Sequence, residues 1–319
     1  MQHILFRVVL EHGRLLIVTQ NYLQIQCAIL AKKAYNIHKS RESFMRDNNG
    51  VGGIAMQKNA PVGVLDSGVG GLSVLKCLQA ALPQEDFIYV GDTARTPYGP
   101  RSEAEVRRFV GEIIDYLAGR GVKLVVIACN TLTVLGVETL KGSHAFEIVG
   151  MSKGAQLVLS ASKKKKIGVF ATEFTINSGA HKAAILAADA AVEVYPQACP
   201  KFVPLIEGEQ FGSGAVKEAV AEYAAPLKAA GIDTLILSCT HYPFIQKEIE
   251  SEFGGEVTVI DPADATAQEA KAALAAQGLL RSEGAGCLEV CFTADVERGA
   301  RIAGRVLPQD KCRFKEVKL

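Results

Sequence analysis

From residue 61 onward the chain alternates two kinds of segment, and that alternation leaves few folds open. Short β-branched runs, "VGVLD", "FIYVG", "KLVVIAC", "EIVGM", "IGVFA", "VEVYP", "TLILSC" and "VTVI", are separated by longer stretches rich in Ala, Lys, Glu and Leu. A run that is apolar at nearly every position is a strand buried on both faces. Helical segments between such strands then cover those faces, which implies parallel sheets in an α/β fold. The pattern is also stated twice. "PVGVLDSGVGGLSVLK" at 61 and "KIGVFATEFTINSGAHK" at 166 are each a strand, a polar turn and a helix start, and some sixty residues beyond each comes a Gly, a strand and a cysteine. Two pseudo-symmetric domains are expected, each a mainly parallel sheet flanked by helices: residues 56–152 with 262–319, and residues 153–261. In such sheets ligands sit beyond the carboxyl ends of the strands, so the active site is expected where the two domains meet.

The first 55 residues differ from the rest. They carry seven Lys/Arg against three Asp/Glu and three of the six histidines, with no clear period of two or of 3.6. "MQKNAPVGVLD" from Met56 reads as a natural start, and glycine codons at Gly52 and Gly53 can spell the purine-rich GGAGG of a ribosome-binding site translated by mistake. Residues 1–55 are therefore expected to be an over-translated upstream region or a disordered extension. Without them the chain holds 28 basic and 31 acidic residues, which excludes nucleic-acid binding by charge. No run approaches the roughly 18 to 20 apolar residues of a membrane span. The N-terminal apolar runs, broken by His3, Arg7, Glu11 and Arg14, are too short for a signal peptide. Eight scattered cysteines without a CxxC pair fit reduced thiols in the cytoplasm.

"VVIACNT" at 125–131 and "LILSCTH" at 235–241 end the equivalent strands with a thiol followed at once by polar groups. A strand-terminal cysteine is ordinarily a small buried hydrophobe, the reading given to Cys27, Cys77, Cys199 and Cys312. Cys287 and Cys291 lack a second pair, so no metal site is expected there. Cys129 and Cys239 stand apart because their context repeats. A thiolate with a nearby imidazole suits acyl transfer, for which Cys239 and His241 are the pair, but that chemistry leaves Cys129 idle. Inverting a stereocentre uses both thiols: one takes a proton from one face of a carbon while the other supplies one to the opposite face.

The turn "DSGVGGLS" at 66–73 invites comparison with a dinucleotide fingerprint, with Asp92 in the place of a ribose-binding acid. Ser73 stands where that fingerprint requires Gly or Ala, and no phosphate-binding P-loop is present. A helix N-terminus with Ser67 and glycine N–H groups suits a small anion such as an α-carboxylate, with Asp66 as cap or as partner to a thiol. Asn130, Thr131 and Thr240 put short donors beside the thiols. Tyr98 in "TPYGP" is equally well explained by turn chemistry, His241 as a core histidine, Glu207 as a loop carboxylate and "KKKK" at 163–166 as a solvated loop.

The segments "GVLDSGVGGLSVL", "VGDTARTPYG", "ACNT", "PLIEGE" and "SCTHYP", in this order and spacing, resemble the glutamate racemases of bacterial cell-wall synthesis from about residue 60 to the C-terminus. The resemblance implies a cofactor-independent enzyme of two α/β domains that interconverts L- and D-glutamate and supplies D-glutamate for peptidoglycan. It implies Cys129 and Cys239 as the acid/base thiols, tuned by Asp66, Glu207 and His241. Ser67, Pro97, Tyr98, Gly99, Asn130, Thr131, Thr175 and Thr240 would hold the substrate. A small-molecule substrate, a possible homodimer, and neither nucleic acid nor membrane as partner complete the expectation. Aspartate, a hydantoin or another small diacid is the alternative substrate, and a binding or redox protein the third reading. Leu132, where the family has "CNTAT", is expected to alter packing beside the site, and Met151, Ser152 and Lys153 to alter the link between the halves.

Overall fold

The protein is described by a computed structural model over residues 7–11, 14–18, 57–99, 101–136, 140 and 144–319. Residues 1–55 and Met56–Leu319 form two separate units. Within the first, β1 (Arg7–Glu11) pairs antiparallel with β2 (Arg14–Val18). The expectation of a disordered or over-translated segment otherwise concerns residues outside those described.

In the second unit the elements run β3 (Val62–Asp66), α1 (Leu72–Ala81), β4 (Phe87–Gly91), α2 (Glu103–Gly119), β5 (Leu124–Ile127), α3 (Asn130–Val134) and β6 (Glu147–Val149). The chain continues through α4 (Ala155–Ala161), β7 (Lys166–Ala171), α5 (Glu173–Asn177), α6 (Ala180–Ala188), β8 (Glu193–Ala198), α7 (Phe202–Glu207), α8 (Gly214–Ala230) and β9 (Thr234–Ser238). It ends with α9 (Gln246–Glu252), β10 (Thr258–Ile260), α10 (Ala263–Ala276), β11 (Leu288–Phe292), α11 (Val296–Ala303) and β12 (Cys312–Glu316).

These strands form two parallel sheets, with β3, β4, β5, β7 and β9 buried nearly throughout as expected, whereas the edge strands β8 and β10, also expected to be buried on both faces, are partly exposed because nothing among the described residues pairs beyond them. One has the order β12-β11-β4-β3-β5-β6 and the other β10-β9-β7-β8. The repeat in the sequence is a repeat in topology. β4-β3-β5-β6 and β8-β7-β9-β10 place their strands identically, and β11 and β12 extend the first sheet beyond β4. Both cysteine-bearing strands, β5 and β9, are interior strands of their sheets, each beside the strand that opens its repeat.

Each face of the first sheet is packed by its own helices. Leu72, Val74, Leu75 and Leu78 of α1 join Ala267, Ala270 and Leu274 of α10 over Val64, Tyr89 and Val126. On the other face Val106, Phe109, Val110, Ile113 and Ile114 of α2 cover Ile88, Val90, Val125 and Ile127. Full burial of one such side chain stabilises the fold by about 1.5–3 kcal/mol. Helix α2 begins where the sequence sets a capping box: the Ser102 hydroxyl accepts from the Glu105 N–H, and the Glu105 carboxylate accepts from the Ser102 N–H. The second sheet lies between α8 with α7 and α9 on one side and α4 with α6 on the other.

Two crossings carry the chain between sheets, at 150–154 and 261–262, and they lie side by side. A Cβ added at Gly154, whose φ is 61°, would stand 2.5 Å from Ile236 Cδ1 and 3.4 Å from Pro262 Cβ, so glycine is the residue both the backbone and the space allow. The Met151-Ser152-Lys153 sequence is accommodated here. Met151 is buried, its N–H donates to Thr133 Oγ1, and the Ser152 N–H donates to Thr266 Oγ1.

Candidate active site

Strand β5 runs on through Ala128 to Cys129, and strand β9 directly into Cys239. Each thiol is 6% exposed. The 66–73 turn reaches both strand ends: the Ser67 hydroxyl is 3.7 Å from Cys129 Sγ, and the Ser73 hydroxyl donates to the carbonyl of Thr240, next to Cys239. The sequence-matched positions are thus brought together from two sheets.

Around Cys129 the local fold is a strand that turns straight into the short helix α3, with Cys129 in extended geometry as its cap residue. The Thr133 N–H and hydroxyl both donate to the Cys129 carbonyl. Burial pushes the thiol well above its ordinary range. The Asp66 carboxylate adds to this, while the Leu132 N–H and the Ser67 hydroxyl, 3.7 Å from the sulfur, oppose it. The Leu132 side chain is buried in the apolar layer beneath α2, so its bulk is absorbed by the core and its amide is what reaches the thiol.

Around Cys239 the chain turns into a 3-10 turn at Tyr242–Ile245, which brings the imidazole two residues on back to the sulfur. His241 Nδ1 lies 3.9 Å from Cys239 Sγ, and His241 Nε2 lies 2.8 Å from Glu207 Oε1. Burial opposes protonation of His241, yet its hydrogen bonds to Cys239 and Glu207 raise it well above the usual imidazole range. Burial likewise opposes ionisation of Glu207. The bond and charge of His241, the Val69 N–H and the Arg298 guanidinium outweigh it and hold the carboxyl below its ordinary value. Glu207 and His241 therefore form a buried ion pair next to one thiol.

The glycine-rich turn also binds groups of the protein itself. The N–H groups of Gly68 and Gly71 donate to Asp66 Oδ2, and that of Val69 donates to Glu207 Oε1. Two of the protein's own carboxylates thus accept from amides of this turn. The missing side chains give close approach. A Cβ at Gly68 would stand 2.2 Å from Glu207 Oε1, and one at Gly70 would stand 2.4 Å from His241 Nδ1. The Ser73 hydroxyl donates across to the Thr240 carbonyl at 2.9 Å, so the serine that breaks the dinucleotide fingerprint is a tie between the halves. Asp92 accepts from Arg95, Tyr98 and Thr293, which fixes the 92–98 turn.

The remaining expected residues divide. Ser67, Asn130, Thr131, Thr175 and Thr240 are buried near the thiols. Thr131 Oγ1 lies 3.0 Å from Thr172 Oγ1 and 3.5 Å from Thr175 Oγ1, joining α3 to α5. Asn130 Nδ2 and Asp66 Oδ1 are buried without a hydrogen-bond partner among the described residues, an arrangement a folded protein seldom keeps without use for it. Tyr98 is buried with its hydroxyl on Asp92, and its environment includes charge on Cys129, whereas Pro97 and Gly99 beside it are exposed. Asp66 is fully buried and its carboxyl is raised by that burial, against the pull of His241.

Three contributors escaped the sequence reading: Tyr89, whose hydroxyl is 3.5 Å from Asp66 Oδ2; Thr172 in the threonine cluster; and Arg298, on Glu207. Only Thr172 had a local signal, as the cap residue preceding α5. Among the described residues no group of three His, Cys, Asp or Glu side chains could hold a metal ion, and no helix is long and apolar enough to cross a membrane.

Residues 62–270 match the model of the family described as Asp/Glu/Hydantoin racemase. A glutamate racemase of Lysinibacillus sphaericus (strain C3-41) is 44% identical over 223 residues, 70% of this chain and 84% of that protein. Among solved structures, a glutamate racemase isoform of Bacillus anthracis superposes with a TM-score of 0.77 at 36% identity, covering 82% of this chain and 99% of its own. The Francisella tularensis glutamate racemase solved with D-glutamate gives 0.73 at 31% identity, covering 82% and 98%.

Proposed function

The chain belongs to the Asp/Glu/Hydantoin racemase family, and from that membership we propose that it interconverts L- and D-glutamate with two cysteines acting on opposite faces of the α-carbon. The relative and the two solved structures described above bear the name glutamate racemase, and one of them was solved with D-glutamate. The observation that carries the mechanism is the pair of thiols at the ends of equivalent strands, one under the charge of Asp66 and the other beside His241, which Glu207 holds. The two sheets with their helices are read as two domains, 56–152 with 262–319 and 153–261, and the substrate as lying where they meet.

In one direction the sulfur of one cysteine, as thiolate, takes the α-proton, and the other cysteine, as thiol, gives its proton to the opposite face. The C–H bond that breaks and the one that forms balance, and the two sulfurs exchange protonation states. The reverse reaction runs the same path backwards. The environments suit an unequal pair. Cys129 is held as thiol by burial and by Asp66. Cys239 Sγ lies 3.9 Å from Nδ1 of His241, whose own protonation is favoured by its bonds to Cys239 and Glu207. Charge that builds on the α-carboxylate as the proton leaves requires preorganised donors, and no cofactor is called for in this route. Asn130 Nδ2, the hydroxyls of Thr131, Thr175, Thr240 and Ser67, and the 97–99 turn are assigned to the substrate, with Asp66, Glu207 and His241 tuning the thiols. Supply of D-glutamate for peptidoglycan in the cytoplasm, by a homodimer, completes the reading.

The test is incubation of the purified chain with L-glutamate in D2O, following optical rotation and the α-proton signal together. Loss of rotation with deuterium entering the α-carbon is expected. Turnover of aspartate or a hydantoin with glutamate untouched would replace the substrate, and no exchange on any of them would sink the reading.

A further inference from the structure

Helix α11 belongs in sequence to the strands that close the first sheet, yet its charged side chains grip a segment that follows the second sheet's β8. Arg298 Nη1 lies 3.1 Å from the Glu207 carbonyl oxygen and 3.4 Å from Glu207 Oε2. One turn on, Arg301 Nη2 lies 2.6 Å from Glu209 Oε1. Residues three apart share a helix face, so both guanidiniums reach the same stretch of chain. Arg298 is itself steadied by Asp295, whose Oδ2 is 3.1 Å from Arg298 Nε and whose Oδ1 caps the helix by accepting the Arg298 N–H.

We propose that Arg298 is a positioning residue: by clamping the backbone and carboxylate of Glu207 it fixes the His241 imidazole against the Cys239 sulfur. The inference rests on the two-thiol reading for its catalytic meaning, although the clamp is a property of the fold. Glu207 uses its two oxygens differently. Oε1 receives His241 Nε2 at 2.8 Å and the Val69 N–H at 3.1 Å, and Oε2 faces Arg298. The charged groups bearing on Glu207 and on its partner are His241, Arg298, Asp66 and, through the imidazole, Cys239. Arg298 donates to the Glu207 carbonyl and places its charge 3.4 Å from Oε2, which has no hydrogen-bond partner among the described residues; without Arg298 the carboxylate keeps its bond to His241 but loses that facing charge and the donor on its own carbonyl. It can then rotate, and the imidazole with it. The Cys129 side has no such strut from a remote helix among the described contacts; its sulfur meets the Ser67 hydroxyl and the Leu132 amide. The clamp therefore acts on one thiol of the two.

Four variants test this: Arg298→Ala, Arg298→Gln, Arg298→Lys and, as a control on the same face, Arg301→Ala. The first readout is the Nε2 proton of His241 in histidine-labelled protein at neutral pH, assigned with His241→Gln. Held on Glu207 it exchanges slowly with water. In Arg298→Ala and Arg298→Gln its exchange is expected to be roughly three- to tenfold faster, the scale of one partly exposed charge-assisted bond, while Arg298→Lys and Arg301→Ala stay near the parent. The second readout is glutamate turnover, where kcat falls by a similar factor and KM stays put. Parental exchange and kcat in Arg298→Ala would overturn the proposal. So would an equal loss in all four variants accompanied by lower thermal stability, which marks a packing role. If the parent protein is silent on glutamate but the proton responds as described, the substrate assignment falls and the clamp stands.

Discussion

Cys129 and Cys239 were legible because each sits in the same short context twice, an apolar strand followed by small polar residues, and no single cysteine in the chain carries that information alone. Their neighbours in sequence, Asn130, Thr131, Thr240 and His241, were legible for the same reason: a strand that ends in a tight turn keeps the next two residues at the site. Arg298 and Tyr89 matter through approaches between segments far apart in the chain, and residue type alone does not announce such meetings. The two-thiol scheme makes a sharp demand at this scale. Cys129→Ala and Cys239→Ala should each lower racemisation by about 10²–10⁴-fold or more, starting from either isomer, as measured by polarimetry on L- and on D-glutamate. One variant retaining parental turnover would remove that sulfur from the chemistry.

Among elements, the 66–73 turn shows a motif whose spacing was visible and whose purpose was not. Its glycines resemble a cofactor cradle until Glu207 and His241 are seen to occupy the space beside them. Gly70→Ala should press on His241 Nδ1 and Thr240 Oγ1, atoms 2.4 and 2.7 Å from the added carbon. A kcat loss of about 10²-fold is expected from such a displacement, with a far smaller change in urea stability. The second crossing carries a different sensitivity. Burial pushes the Asp261 carboxyl up to about 6, with the Ala263 N–H opposing and Asp264 adding. An acid that binds its proton more tightly folded than unfolded contributes stability that is complete below its ordinary value of 3.8 and is lost as pH rises through about 6. Asp261→Asn keeps an oxygen for the Ala263 N–H, now 2.9 Å from Oδ1. It should therefore resist urea better than the parent above about pH 6, where the Asp261 carboxyl ionises, with the difference vanishing in acid.

At the scale of the whole molecule, the alternation of strands and helices and its duplication foretold both parallel sheets. The strand order, and the return of the C-terminal strands to the far side of β4, needed the structure, because a parallel strand can pair wherever its crossover reaches. At the opposite end of the first sheet from the thiols, Lys123 and Glu85 form an ion pair that is 0% and 1% exposed. Lys123 Nζ also donates to the Leu279 carbonyl at 2.9 Å, and Glu85 Oε1 accepts the Arg281 N–H at 2.8 Å. The pair thus fastens the chain leaving α10 to the start of the sheet. Lys123→Met should cost about 3–5 kcal/mol in urea unfolding, because Glu85 is then buried with its charge uncompensated, and a second change of Glu85 to Met should recover much of it.

The insertion of the four-stranded sheet between β6 and β11 has a consequence for how the molecule is made. A ribosome delivers β3 through β6 early, then all of the second sheet, and only afterwards the strands that lie against β4. The edge of β4 is left uncovered for as long as it takes to synthesise the residues between, while the later sheet has every strand it needs as soon as β10 emerges. The half that starts first is the half that finishes last, and a nascent chain halted before residue 288 leaves the exit tunnel with one sheet closed and the other open along one side.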